Sequence, residues 1–266
     1  MMGRAMKLPL YQLDAFASRA FAGNPAAICP LRDWLPDATM QAIAAENNLS
    51  ETAFFVGGDG KYAIRWFTPT VESTLCGHAT LASACVVMTR LEPKLGTVRF
   101  STRRAGDLTV DREGDLFVLD FPSWPPKPVV APDGLERALG ARPSQVLAAT
   151  RDYLCVFQDS HAVKSLKPDF AALKRLEKPV IATAPGDDGY DFVSRFFAPS
   201  HGIDEDPVTG SAHCVLTPYW AQCLGKTKLK ARQVSARGGD LALELRGDRV
   251  RIAGRVAPYL EGSIDV

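Results

Sequence analysis

No long apolar run interrupts this 266-residue chain. Its longest strongly apolar stretch, Leu81–Met88, has eight residues, far short of the roughly 20 that a membrane-spanning helix needs. No apolar segment follows Arg4 and Lys7 as a secretory leader would require, so the expectation is a cytoplasmic protein without a membrane partner. An excess of one charge is missing too: 31 Lys and Arg stand against 30 Asp and Glu, a net +1. General nucleic-acid binders draw their affinity from neutralising phosphates, so nucleic acid is not an expected partner. Lys226, Lys228, Lys230 and Arg232 alternate with Thr227, Leu229 and Ala231, which reads as the solvated face of a strand rather than a phosphate track. No two of the six cysteines, at 29, 76, 85, 155, 214 and 223, stand three apart, which excludes a zinc ribbon and a CxxC redox pair. Free buried thiols are the expectation. The glycine-rich nucleotide signatures GxGxxG and GxxxxGKS/T are absent as well.

What is present is an ordinary globular composition, 46% apolar and 23% charged. The length suits one large domain or two of about 130 residues, with a core that needs no metal or disulfide staple. An internal echo decides between them. Arg65-Trp66-Phe67-Thr68-Pro69 returns as Arg195-Phe196-Phe197-Ala198-Pro199, and Cys76-Gly77-His78-Ala79 as Thr209-Gly210-Ser211-Ala212. The offsets are 130 and 133 residues, so the chain reads as a duplicated unit with three extra residues in the second loop.

Each echo has a strand, loop, helix setting. Tyr62–Phe67 and Phe192–Phe197 read as strands. Helices are expected to open at Gly77 and Gly210, with apolar stripes at Leu81, Ala84, Cys85 and Met88 and at Ala212, Val215, Leu216, Tyr219, Trp220 and Cys223. Each is expected at the centre of its half, wrapped by strands. Further strands are expected over Leu8–Phe16, Thr52–Val56, Thr97–Ser101, Leu108–Arg112, Leu116–Phe121, 145–158, 178–183, Lys228–Ser235, Leu241–Leu245 and Val250–Ile252. Helices are expected from Pro36-Asp37 to Asn48, over Asp133–Leu139 and over 168–176. Four prolines within Pro122–Pro128 mark a semi-rigid linker. The fold class is therefore α+β, with halves at 1–122 and 123–266 and a final strand or tail free to pack back on the first half.

The candidate chemistry gathers at the two helix starts. A helix N-terminus offers unpaired N–H groups and about half a positive charge, so two of them facing one cleft would hold a carboxylate or enolate oxygen without metal. Around the first stand Cys76 and His78; around the second, Asp204, Glu205, Asp206, Thr209 and Ser211. Taken alone, Asp206 reads first as a helix cap, and His78 equally as an acid, a donor or a surface histidine. Glu51, where a polar helix end meets an apolar strand, is either an exposed turn residue or a base whose pKa desolvation raises.

The motifs Gly23-Asn24-Pro25-Ala26-Ala27, Leu49-Ser50-Glu51-Thr52, Cys76-Gly77-His78-Ala79-Thr80 and Glu205-Asp206-Pro207-Val208-Thr209-Gly210-Ser211-Ala212, in this order, resemble the PhzF-like isomerase family of phenazine biosynthesis, related to diaminopimelate epimerase. The resemblance covers about Leu10 to Arg255. It implies two pseudo-symmetric domains, each a barrel-like, mostly antiparallel sheet around a central helix, with the site between them. It also implies a homodimer and a cofactor-independent isomerase that moves a proton on a small carboxylic acid. By the same resemblance Glu51 is the acid/base, His78 and Asp206 assist, and Gly77, Gly210, Ser211, Thr209, Cys76 and Asn24 bind substrate, with no metal. Its phenazine branch makes 2,3-dihydro-3-hydroxyanthranilate the first substrate to try. Two-thiol epimerisation of an amino acid is the alternative, weakened because Thr209 stands where a second thiol would be. A zinc hydrolase using Cys76, His78, His213 and Cys214 is another, and a binding module that has lost catalysis a third.

Overall fold

The computed structural model describes residues 6–266. In chain order the elements are β1 (Lys7–Ala15), β2 (Asn24–Leu31), α1 (Asp37–Asn47), β3 (Glu51–Gly58), β4 (Lys61–Phe67), β5 (Glu72–Ser73), α2 (Gly77–Val86), β6 (Thr97–Ser101), β7 (Asp107–Glu113) and β8 (Leu116–Pro122). They continue with β9 (Lys127–Pro128), α3 (Leu135–Leu139), β10 (Gln145–Ala148), β11 (Tyr153–Val156), α4 (Ser160–Lys164), α5 (Phe170–Leu173), β12 (Val180–Pro185), β13 (Phe192–Ala198) and β14 (Ile203–Asp206). The last are α6 (His213–Leu224), β15 (Lys228–Gln233), β16 (Gly239–Arg246), β17 (Arg249–Gly254) and β18 (Val256–Asp265). Two compact units result, one from the described residues up to Asp120 together with Gly254–Val266, the other from Phe121–Ala253.

The two units repeat one strand path. In the first, the neighbours run β18, β1, β2, β3, β4, β6, β7, β8. In the second they run β9, β10, β11, β12, β13, β15, β16, β17. The parallel pairs fall at the same places, β2–β3 and β4–β6 against β11–β12 and β13–β15; every other neighbour is antiparallel. The duplication read from two short echoes thus extends to the whole topology. The sequence reading missed β2, β14, α4, β18 and the two-residue strands β5 and β9, and drew α5 too long. β18 carries little alternation because residues 258–263 are all exposed.

The central helices are more buried than one apolar stripe suggests. All ten residues of α2 are buried, and strands β1, β2, β3, β7 and β18 pack around it. Small side chains allow this, and buried hydroxyls are silenced by the helix's own carbonyls: Thr80 Oγ1 donates to Cys76 O at 2.6 Å and Ser83 Oγ to Ala79 O at 2.7 Å. The helix runs on into a π-turn at Val87–Leu91.

The second central helix corrects two expectations. It begins at His213, not Gly210. A helix opening at Gly210 would give the Thr209 carbonyl to the His213 amide, but the His213 ring takes that carbonyl through Nδ1 at 2.8 Å. The His213 amide turns to Gly210 O instead, at 3.0 Å, making a tighter first turn. The stripe also stops early: Tyr219 is half-buried and Cys223 exposed, so five cysteines rather than six are buried. Inside α6, Pro218 cannot donate to the Cys214 carbonyl one turn back. The Trp124 amide, from the proline-rich segment, fills that acceptor at 2.8 Å.

One corner recurs in both units. Arg65 grips Glu72 through Nε and Nη2, at 2.7 and 2.8 Å, and lies 5.0 Å from the Phe67 ring centre. Arg195 grips Glu205 at 2.7 Å through both nitrogens and lies 4.9 Å from Phe197. The phenylalanine two residues on shares the arginine's strand face. The partners are seven residues apart in the first unit and ten in the second; the longer loop turns through a 3-10 segment at Pro199–His201. Lysine supplies the charge but not the planar fork. Arg65→Lys and Arg195→Lys are each expected to cost roughly 1–3 kcal/mol in urea denaturation; variants as stable as wild type would show that the corners are ornamental.

Candidate functional site

In the first unit, local structure delivers five of the expected residues to one place. Gly23 precedes β2 in the left-handed region at φ +66°, and a Cβ there would meet Ala15 O at 2.2 Å, so only glycine fits. The turn it permits sets Asn24, fully buried, at the head of β2. Asn48 ends α1 in the left-handed conformation with its amide on Ala44 O. Asn47 Nδ2 then donates to Thr52 Oγ1 at 3.1 Å, and Glu51 becomes the first residue of β3, opposite Ala26 of β2. Cys76 is the extended residue before α2, with Gly77 and His78 in its first turn.

The His78 ring is the hub. Nδ1 lies 3.2 Å from Asn24 Nδ2 and 3.5 Å from Cys76 Sγ. Nε2 lies 3.5 Å from Glu51 Oε2, whose side chain is only 12% exposed. Burial pushes the imidazole pKa down to about 3, with the Pro25 carbonyl pulling the other way, so the ring is neutral. A neutral ring carries one hydrogen. Nε2 and Glu51 Oε2 face each other across 3.5 Å, beyond a good hydrogen bond. Glu51, Cys76 and His78 each place a donor atom within 4.8 Å of the others, a trio able to contact a soft cation.

The second unit assembles the others. Asp206 ends β14 and is buried. Thr209 Oγ1 donates to Asp206 Oδ2 at 2.5 Å. Buried Gly210 and half-buried Ser211 follow, in the tight turn ahead of α6. Sequence reasoning missed the residue that organises this loop, Gln233. It accepts the Thr209 amide at 2.9 Å and donates to Asp206 O at 2.7 Å and to Thr209 Oγ1 at 3.2 Å. The signal was available: along β15, Lys228, Lys230 and Arg232 face out while Leu229, Ala231 and Gln233 face in, so Gln233 is a polar residue in an apolar phase. Ser235 adds a hydrogen bond to Pro207 O at 2.7 Å.

Of the residues considered for zinc, His213 and Cys214 suit it poorly. Among the described residues, the His, Cys and carboxylate side chains close enough to share a metal are Glu51, Cys76 and His78, a group that includes neither His213 nor Cys214.

Comparison with known proteins agrees with this architecture. The sequence pattern of the family described as phenazine biosynthesis-like protein matches residues 13–262. A Pseudomonas aeruginosa protein named as an uncharacterized isomerase is 53% identical, over 97% of this chain and 99% of its own. A crystal structure of a PhzF-family phenazine biosynthesis protein from Enterococcus faecalis superposes with a TM-score of 0.94 at 45% identity, covering 98% of this chain and 100% of that one. A hydroxyproline epimerase from Agrobacterium vitis, solved with trans-4-hydroxy-L-proline, shares the fold alone, with a TM-score of 0.60 at 10% identity over 98% of this chain and 93% of that one. The chain belongs to the phenazine biosynthesis-like (PhzF) family and is an isomerase of it.

Proposed function

We propose that the protein moves a proton on a small carboxylic acid without a cofactor, with Glu51 as the acid/base. The observation that carries the reading is the half-enclosed Glu51 carboxylate 3.5 Å from the neutral, buried imidazole of His78. A carboxylate in such surroundings has little water to compete with a carbon acid, and the ring packed beside it limits where its second oxygen can lie. Glu51 removes a proton from a carbon activated by conjugation. The negative charge that develops is met by the unpaired amides at the Gly77-His78 start of α2 and by the Gly210-Ser211 turn. Glu51 then returns the proton at another carbon, with His78 or Asp206 assisting. Asn24 orients the imidazole. In this reading the active protein is a cytoplasmic homodimer.

Epimerisation by two thiols fits less well. Cys76 has the right place, but Thr209 at the echo position is a hydroxyl whose pKa lies far above a thiol's, and the Asp206 carboxylate that accepts its hydrogen is too weak a base to take it.

Deuterium incorporation in heavy water tests the reading, over a set of small cyclic and amino carboxylic acids beginning with 2,3-dihydro-3-hydroxyanthranilate. Glu51→Gln is expected to slow exchange and conversion by about 100-fold or more; exchange at the wild-type rate would remove Glu51 from the mechanism.

The buried imidazoles also set the pH dependence of stability. His78 and His213 are pushed down to about 3 and about 4 by desolvation, from about 6.5 in the unfolded chain. As pH falls below about 6.5 the unfolded chain takes up protons that the folded one refuses, so each histidine lowers stability by about 1.4 kcal/mol per pH unit until its folded pKa is reached. Asp152, pushed up to about 6 by burial, acts with the opposite sign but does so equally in a histidine variant. Denaturation of His78→Gln between pH 6.5 and 4 is expected to fall less steeply than wild type by about 1.4 kcal/mol per unit; parallel curves would mean that His78 is protonated in the fold.

A further inference from the structure

We infer that Gln233 is the positioning residue of the 206–211 loop, fixing the direction in which the Thr209 hydroxyl donates its hydrogen to Asp206. The inference rests on the reading of that loop as part of the active site.

The argument is one of hydrogen-bond direction. An amide side chain can be turned either way, but here one end is dictated. The Thr209 backbone amide can only donate, so the Gln233 atom 2.9 Å from it must be the oxygen. Nε2 therefore faces the other way, 2.7 Å from the Asp206 carbonyl, which can only accept, and 3.2 Å from Thr209 Oγ1. A hydroxyl that accepts from Nε2 keeps its single hydrogen for a second neighbour, and the remaining neighbour is Asp206 Oδ2. The chain of donors thus runs from Gln233 through Thr209 to Asp206, with no alternative sense. Gln233 is fully buried, so water does not offer either end a substitute.

The other unit lacks the device. Ala231 pairs with Phe192 where Phe100 pairs with Tyr62. Two residues beyond Phe100, as Gln233 is two beyond Ala231, stands Thr102. Its hydroxyl accepts the Ala105 amide within its own hairpin. A requirement of the fold alone would call for the clamp in both copies. Its presence on the Asp206 side only ties it to what that loop presents.

A substrate-free experiment tests the inference in the full chain. The carboxyl-carbon resonance of Asp206 is followed by NMR as pH is varied in a double-mutant cycle of Thr209→Val and Gln233→Met. The charged and titratable groups on the elements carrying the loop stay constant throughout: Asp204, Glu205 paired with Arg195, Arg232, and the neutral His213. With Gln233 in place, loss of the hydroxyl is expected to shift the Asp206 midpoint upward by about one pH unit, a tenfold change; with methionine there, by less than half of that, because the hydroxyl is no longer held in one sense. Equal shifts in both backgrounds would overturn the inference. If Gln233→Met does not fold, Gln233→Leu replaces it in the cycle, since it too removes the donor without adding a charge; the same two outcomes decide.

The exchange assay supplies a second reading. Gln233→Glu is expected to lower turnover about tenfold or more while leaving KM within a few-fold, whereas full activity with only the acceptor retained would reduce Gln233 to packing. Asp206→Asn separates the two levels. If it exchanges as fast as wild type, the role of Asp206 fails whatever Gln233 does. If it is slow while Gln233→Glu is fast, the inference alone fails.

Discussion

A guanidinium laid on a phenylalanine and clamped to a glutamate across a short loop fixes the geometry on which both candidate sites depend. The chain must leave β4 or β13, turn, and deliver a helix start with unpaired amides. A loop of seven or more residues would otherwise sample many such turns. Arg65 with Glu72, and Arg195 with Glu205, close that loop with two parallel hydrogen bonds each. A fork-to-fork pair has one good geometry, so it specifies a position as well as holding it. Arg65 is nearly inaccessible, which makes its removal far more disruptive than the loss of a surface ion pair. The Cys76-Gly77-His78 start and the Thr209-Gly210-Ser211 turn follow within a few residues of these glutamates. Their placement is inherited from the corners.

On this shared frame the two units carry unlike chemistry. The first gathers a carboxylate, a neutral imidazole, an amide and a thiol around α2. The second gathers a carboxylate, a hydroxyl and an amide in a directional chain ahead of α6. Desolvation governs the first: a ring with no water around it remains neutral over the physiological range and acts as a fixed donor or acceptor. Hydrogen-bond polarity governs the second, where the backbone amide of Thr209 orients Gln233 and Gln233 orients the hydroxyl. The near-zero net charge agrees with such an arrangement. On the proposed reading, an anionic substrate is held by local amides and not by a general basic field.

Much of this was legible in the sequence because it rests on local rules. Alternation marked β4, β13, β15 and the β6–β8 meander. Gly140 and Gly225 follow the last turns of α3 and α6, and both adopt the left-handed conformation that ends a helix. The paired echoes announced the duplication. What escaped depends on partners distant in sequence. β18 is exposed on most of its length and is a strand only because β1 pairs with it. The start of α6 moved because a side chain, His213, competes with its own backbone for a carbonyl. Gln233 lies 24 residues from the loop it clamps; its inward phase was visible, but its target was not. The glutamates of the two corners were visible as residues, and only the folded hairpins show why they are seven and ten residues from their arginines.

The same asymmetry bears on which chemistry the frame supports. Two-base epimerisation needs a group on each face of one carbon, each able to exist as a base in turn. Duplication would supply such a pair at the echo positions, and Cys76 shows how one member would sit. At the other position Thr209 has its hydrogen committed to Asp206 and a lone pair committed to Gln233. Moving that hydrogen onto Asp206 would set an alkoxide beside a carboxylic acid, which would return it at once, so Thr209 does not persist as a base. The second unit is therefore built to present charge and direction, while groups able to exchange a proton with carbon collect in the first. On the proposed reading, a proton that leaves and returns through Glu51 stays on one face of the substrate, which suits migration between two carbons better than inversion at one.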